Sequence, residues 1–194
     1  MRRKKTRAWS SRARVSIAIM KWLVTLAFSA TLFAQSAQTT QKQLDAEAAK
    51  LRAWGSDAAI VAAVKAQNAK RVPLTTIKSL DAQWIAGKAA SLVKEKTTGA
   101  CADYLRKLAA GSAYQEIFVM DDQGAIVCAN EQTSDYWQGD EAKWQRAFND
   151  GKGNVFIDRP RYDESAKRNL AQVSVPVMDN GKAIGAITIG VTIR

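Results

Sequence analysis

Apolar positions along the chain change period near its middle. In the first half they recur at helical spacing. Leu44, Ala48 and Leu51 repeat at i, i+4 and i+7, and Gly55 interrupts them. Ser56 suits an N-cap for a second stretch carrying Ile60, Val61 and Val64, and Pro73 marks the next break. Thr75 or Thr76 can start a longer helix whose apolar side holds Ile77, Leu80, Trp84 and Leu92, with Lys88 and Lys94 on the other side. Thr98 and Gly99 end it. A further helix spans Ala100 to Ala110, with Cys101, Leu105 and Leu108 on one face and Gly111 as its stop.

From Glu116 onward the period is two. Glu116 to Asp121 predicts a buried strand, Asp122-Gln123-Gly124 a tight turn, and Ala125 to Asn130 a returning strand. Glu141 to Asn149 predicts a short helix with Trp144 and Phe148 one turn apart, broken by Gly151-Lys152-Gly153. Asn154 to Asp158 is a third strand. Leu170 to Met178 is a fourth, with Val173, Val175 and Val177 in alternation. Asp179-Asn180-Gly181 is a hairpin signal, and Lys182 to Ile193 is a fifth strand. Strands joined by tight turns imply an antiparallel sheet, whose apolar face an amphipathic helix must cover.

Charge changes the picture at the amino terminus. The formal net charge is +11. Eight basic residues and no acidic ones precede residue 37: Arg2, Arg3, Lys4, Lys5, Arg7, Arg12, Arg14 and Lys21. An uncharged apolar run, Trp22 to Phe33, follows, then Ala34-Gln35-Ser36. This order of basic, apolar and small residues predicts a signal peptide over residues 1–36. The alternative, an uncleaved anchor, suffers because about 12 apolar residues fall short of the roughly 20 needed to span a bilayer. Removing eight charges from +11 leaves +3, which argues against nucleic acid as a partner. The expected location is periplasmic or secreted.

Two cysteines, Cys101 and Cys128, both follow the leader. An even count in an exported chain suggests a disulfide, the other reading being two buried thiols. Histidine is absent, which removes the commonest zinc ligand and general base. No G-x-S-x-G elbow or glycine-rich phosphate loop occurs. Asp121-Asp122 is ordinary turn chemistry and too sparse for a calcium loop. The expectation is therefore a non-enzyme with no catalytic residues, no metal and no cofactor.

Three stretches resemble the extracellular PAS-like sensor domains called Cache or PDC domains: YQEIFVMDDQGAIVCAN, Tyr114 to Asn130; SDYWQGDEAKWQRAF, Ser134 to Phe148; and AQVSVPVMDNGKAIGAITIGV, Ala171 to Val191. The resemblance implies an α+β fold: a five-stranded antiparallel PAS-like sheet with long amino-terminal helices packed on one face. It divides the chain into a leader (1–36), a helical region (37–113) and a ligand-binding sheet region (114–194), the last two forming one compact unit. Members usually bind small molecules outside the cytoplasmic membrane and belong to kinases, chemoreceptors or cyclases. This sequence stops directly after its last strand, so the expectation is a standalone sensor that hands its state to a membrane sensor or receptor.

The resemblance also implies a pocket on the sheet, roofed by the segment after the second strand. Candidate ligand-binding residues there are Tyr136, Trp137 and Trp144, since rings bury ligand surface. For Trp144 the core face of a short helix is the favoured reading, for Tyr136 and Trp137 the pocket. A second cluster, DRPRYDESAKR, offers Asp158, Arg159, Arg161 and Tyr162. Guanidinium groups suit the carboxylate of an organic acid or amino acid, and Asp158 suits an ammonium group. A solvated hairpin tip is the alternative for this segment. In amino-acid-binding Cache domains an aromatic-plus-arginine set grips the carboxylate and an aspartate grips the amine; the full motif is not present here. Ser174, opposite in phase to Val173 and Val175, is a further candidate. Two function classes follow: a sensor for a small, possibly anionic ligand, or an interaction module whose pocket is filled by its own side chains. In the latter, residues 44 to 96 would supply a docking face or homodimer seam.

Overall fold

The structure is a computed structural model that describes Gln35, residues 37–163 and residues 167–193. The chain divides into two units, Met1–Lys42 and Gln43–Arg194. In the first, residues 37–42 are helical. The expected leader, residues 1–36, lies outside the described residues except for Gln35. No described helix is long and apolar enough to cross a membrane.

The second unit begins with five helices: α1 (residues 43–55), α2 (Ala58–Ala69), α3 (Leu74–Ile85), α4 (Ala90–Thr97) and α5 (Ala100–Ala109). Then follow β1 (Tyr114–Met120), β2 (Ile126–Ala129), α6 (Ala142–Phe148), a 3₁₀ turn (Asn149–Gly151), β3 (Phe156–Ile157), β4 (Arg161–Asp163), β5 (Arg168–Asp179) and β6 (Lys182–Thr192). The fold is α+β, with one antiparallel sheet in the order β2-β1-β6-β5-β3, and β4 also paired to β5.

Local chemistry accounts for the boundaries. α2 is capped by Asp57 rather than Ser56: its carboxylate accepts from the Ala59 N–H at 2.8 Å. The single long helix expected after Pro73 is two, because Gly87 adopts φ +68° and ends α3. The sheet has a sixth strand, β4, because Arg161 to Asp163 folds back onto the first residues of a β5 longer than expected.

Strand alternation builds two cores. On the first face Ile117, Val119, Val173, Val175, Ile187 and Ile189 pack under α1, α2 and α5. On the second face Phe118, Met120, Ala129 and Ala186 pack with Ile77 of α3, Ala147 of α6 and Tyr136. The helices thus lie on both faces, α3 and α4 having crossed to the second. A disulfide joins Cys101 of α5 to Cys128 of β2. Closing a loop of this length is worth about 3–4 kcal/mol in the chain-entropy account.

Candidate functional site

The second face of the sheet has two ends. Over one end lies the segment after β2. Gly124, in the β1–β2 turn, has φ +86°, and a Cβ there would come within 2.5 Å of the Gly139 backbone. Only glycine lets these two chains touch. The segment is also tied to α3, where the Asp81 carboxylate accepts from the N–H groups of Tyr136 at 2.9 Å and Trp137 at 3.0 Å.

The aromatic candidates are consumed in this packing. Tyr136 is 2% exposed and lies against Trp84, ring centroids 5.7 Å apart. The Trp137 indole N–H donates to the Gln123 carbonyl at 2.7 Å, and that of Trp144 to the Asp121 carbonyl at 2.9 Å. Trp144 also stacks on Phe148. Behind them sits a buried polar group: the Lys96 ammonium donates to Gln67 at 3.2 Å and pairs with Glu95 at 3.0 Å. Asp121 accepts from the N–H groups of Gln123 and Ala125, both at 2.9 Å, which closes the turn. Burial pushes the Asp121 carboxyl above the usual carboxylate range against those two donors. It pulls the Lys96 ammonium below the usual lysine range against Glu95.

Ser174 is fully buried between the two ends, and its hydroxyl pairs with that of Thr188 at 2.8 Å. It faces neither cavity nor solvent.

The other end is an open cleft of about 280 Å³. Its floor is a row across three strands, because Glu116 pairs with Gly190 and Gly190 with Gln172. The Gln172 amide donates to the Glu116 carboxylate at 3.0 Å, spanning Gly190. A Cβ on residue 190 would sit 2.9 Å from the Glu116 Cγ, so glycine there makes the saddle. Asp158, Arg159, Arg161 and Tyr162 form the far wall with Leu170. Asp158 is anchored by its own N–H to the Gln172 carbonyl at 2.8 Å. Its carboxylate accepts from the Arg159 N–H at 2.8 Å and meets the Arg161 guanidinium at only 3.3 Å. Arg161 is 76% exposed, so this pair is weak. Outside the cleft, burial and then the Glu116 charge raise the Glu131 carboxyl above the usual range.

The fold thus brings together Asp158, Arg159, Arg161 and Tyr162, and separates them from Tyr136, Trp137, Trp144 and Ser174. Sequence reasoning missed Glu116, Gln172 and Gly190. Residues 172 and 190 share the phase of Ser174, opposite to the valine and isoleucine rows, and that alternation was the available signal.

No family model matches the chain, and no curated protein matches it in sequence. Solved structures do. The sensor domain of the V. cholerae histidine kinase DctB aligns with TM-score 0.53 and 11% identity, over 89% of this chain and 57% of that one. This is the Cache/PDC sensor-domain fold. The Pseudomonas fluorescens chemoreceptor CtaA ligand-binding domain, solved with L-serine, aligns with TM-score 0.43 and 11% identity, over 81% of this chain and 54% of that one. The Pseudomonas aeruginosa PAO1 chemoreceptor PctC domain, solved with GABA, aligns with TM-score 0.41 and 13% identity, over 66% and 61%. The chain spans less than two thirds of each of these structures. In Cache/PDC terms, helices α1, α2 and α5 back one face of the sheet, and the cleft opens on the other.

Proposed function

We propose that this chain is an exported sensor module that binds a small zwitterion or organic acid, of the amino-acid class, in the cleft at the β4 end of the sheet. The observation that carries the reading is opposed charge across one open cavity. Arg159 and Arg161 present guanidinium groups on one wall beside Asp158, and Glu116 presents a carboxylate on the floor opposite them. A carboxylate suits the first and an ammonium the second. Tyr162, 56% exposed, offers a ring to cover the ligand body.

Charged side chains around a saddle made by glycine are a binding arrangement, and among the described residues that line the cleft none is a nucleophile paired with a base. Occupancy would pull β4 toward the Glu116 row and pass through β5 and β6 to α1 and α2. From there it would reach a membrane sensor or receptor, or a second copy of the chain through the amino-terminal helices. The competing reading, an interaction module with a self-filled pocket, draws support from Tyr136, buried against Trp84, and from Trp137 and Trp144, whose indole N–H groups are already engaged.

A thermal-shift screen of the full chain against amino acids, organic acids and amines separates the two. A ligand at 100 times its Kd adds about 2.7 kcal/mol, a shift of a few degrees. The sensor reading expects a hit that disappears in Arg161→Ala and persists in Lys94→Ala. A folded protein with no hit across the panel favours the interaction module.

A further inference from the structure

A second cleft, of about 330 Å³, lies between the last turn of α1, the turn after α6 and the end of β5. It differs from the first in charge. Arg52 and Lys152 stand on its rim, no acidic residue lines it, and among the described residues neither cation has an ion-pair partner. The Ser56 hydroxyl and Asn154 complete the polar rim, and the floor is apolar: Val155, Pro176 and Met178. The floor is held by backbone contact. Gly153 has φ +73°, and a Cβ there would meet the Met178 sulfur and the Pro176 ring at 3.0 Å. Gly55 seats α1 closely as well: a Cβ there would come within 3.2 Å of the Ile187 side chain and the Pro176 carbonyl.

We propose that this cleft binds a carboxylate on a short apolar body, of the alkanoate or arenecarboxylate class. Two unpaired cations of different geometry favour one anionic head, the planar guanidinium taking it bidentately. The thioether, ring and valine take the apolar body. An ammonium finds no partner here, which separates this site from the mixed-charge cleft at β4. A bound molecule bridges α1 to β5 and so restrains the helix that backs the sheet.

The test uses the full chain with ¹³C-methyl methionine, titrated with hexanoate and, separately, with hexylamine. Met178→Leu assigns the reporting methyl, and Met120, fully buried elsewhere, is the internal control. The expected result is that hexanoate shifts Met178 and leaves Met120, that hexylamine shifts neither, and that Arg52→Ala and Lys152→Ala each weaken the response about tenfold. Both substitutions are on exposed side chains, so the fold survives them. Arg161→Ala leaves this response unchanged even if it abolishes binding at β4. Equal shifts from hexanoate and hexylamine, no shift of Met178, or full retention in Arg52→Ala overturns the proposal.

Discussion

The two ends of the second sheet face start from the same backbone and reach opposite outcomes. At the roofed end three indole N–H groups each meet a backbone carbonyl: Trp84 donates to Thr133, Trp137 to Gln123 and Trp144 to Asp121. At the β4 end the polar groups are long, charged and loosely partnered, and a glycine leaves the sheet bare. The difference teaches that aromatic content does not locate a pocket. Rings whose donors are satisfied inside the fold are structure, whereas charge kept open at a cost is available for a ligand.

The comparison can be broken most forcefully by Tyr136→Ala. Loss of this buried ring against Trp84 should cost about 3–5 kcal/mol in chemical denaturation, with ligand affinity intact in whatever fraction stays folded. Normal stability with abolished binding would put the site under the roof after all. Trp144→Phe is a milder probe. It removes one of the two donors to the Asp121 carbonyl, which keeps the Gly124 N–H at 3.2 Å, and should cost about 1 kcal/mol.

The ends should also differ in pH response. Lys96 at the roofed end has a folded pKa below its ordinary 10.5. Between that lowered value and 10.5 the unfolded chain binds more protons, so stability rises with pH. Wild type should therefore gain stability relative to Lys96→Met as the pH rises toward 10.5 from below. Parallel curves would show that Lys96 is not desolvated. The smallest structural effect belongs to the cleft: Arg161→Ala should leave the unfolding midpoint in place while removing ligand-induced protection.

Much of this architecture is legible from periodicity. Leu44, Ala48 and Leu51 mark the buried face of α1, and the valine and isoleucine rows mark β5 and β6. Other features depend on distant partners. A 3.6-residue period shows that α3 has an apolar face, but not that Gly87 divides it from α4 or that both cross to the second face. Trp137 reads as a loop aromatic because its partner, the Gln123 carbonyl, belongs to the β1–β2 turn, 14 residues earlier in the chain. Arg159 and Arg161 are visible as a cluster. Glu116, the group opposite them, becomes a neighbour only through the β1–β6 pairing.

The most direct test of the account is a two-dimensional NMR titration of the full chain with the best ligand from the thermal screen. It compares the Gly190 backbone amide and the Gln172 side-chain amide with the indole N–H groups of Trp137 and Trp144. Binding at the β4 end predicts saturable shifts at Gly190 and Gln172 and still indoles. Shifting indoles with a still Gly190 would contradict it and return the ligand to the aromatic roof.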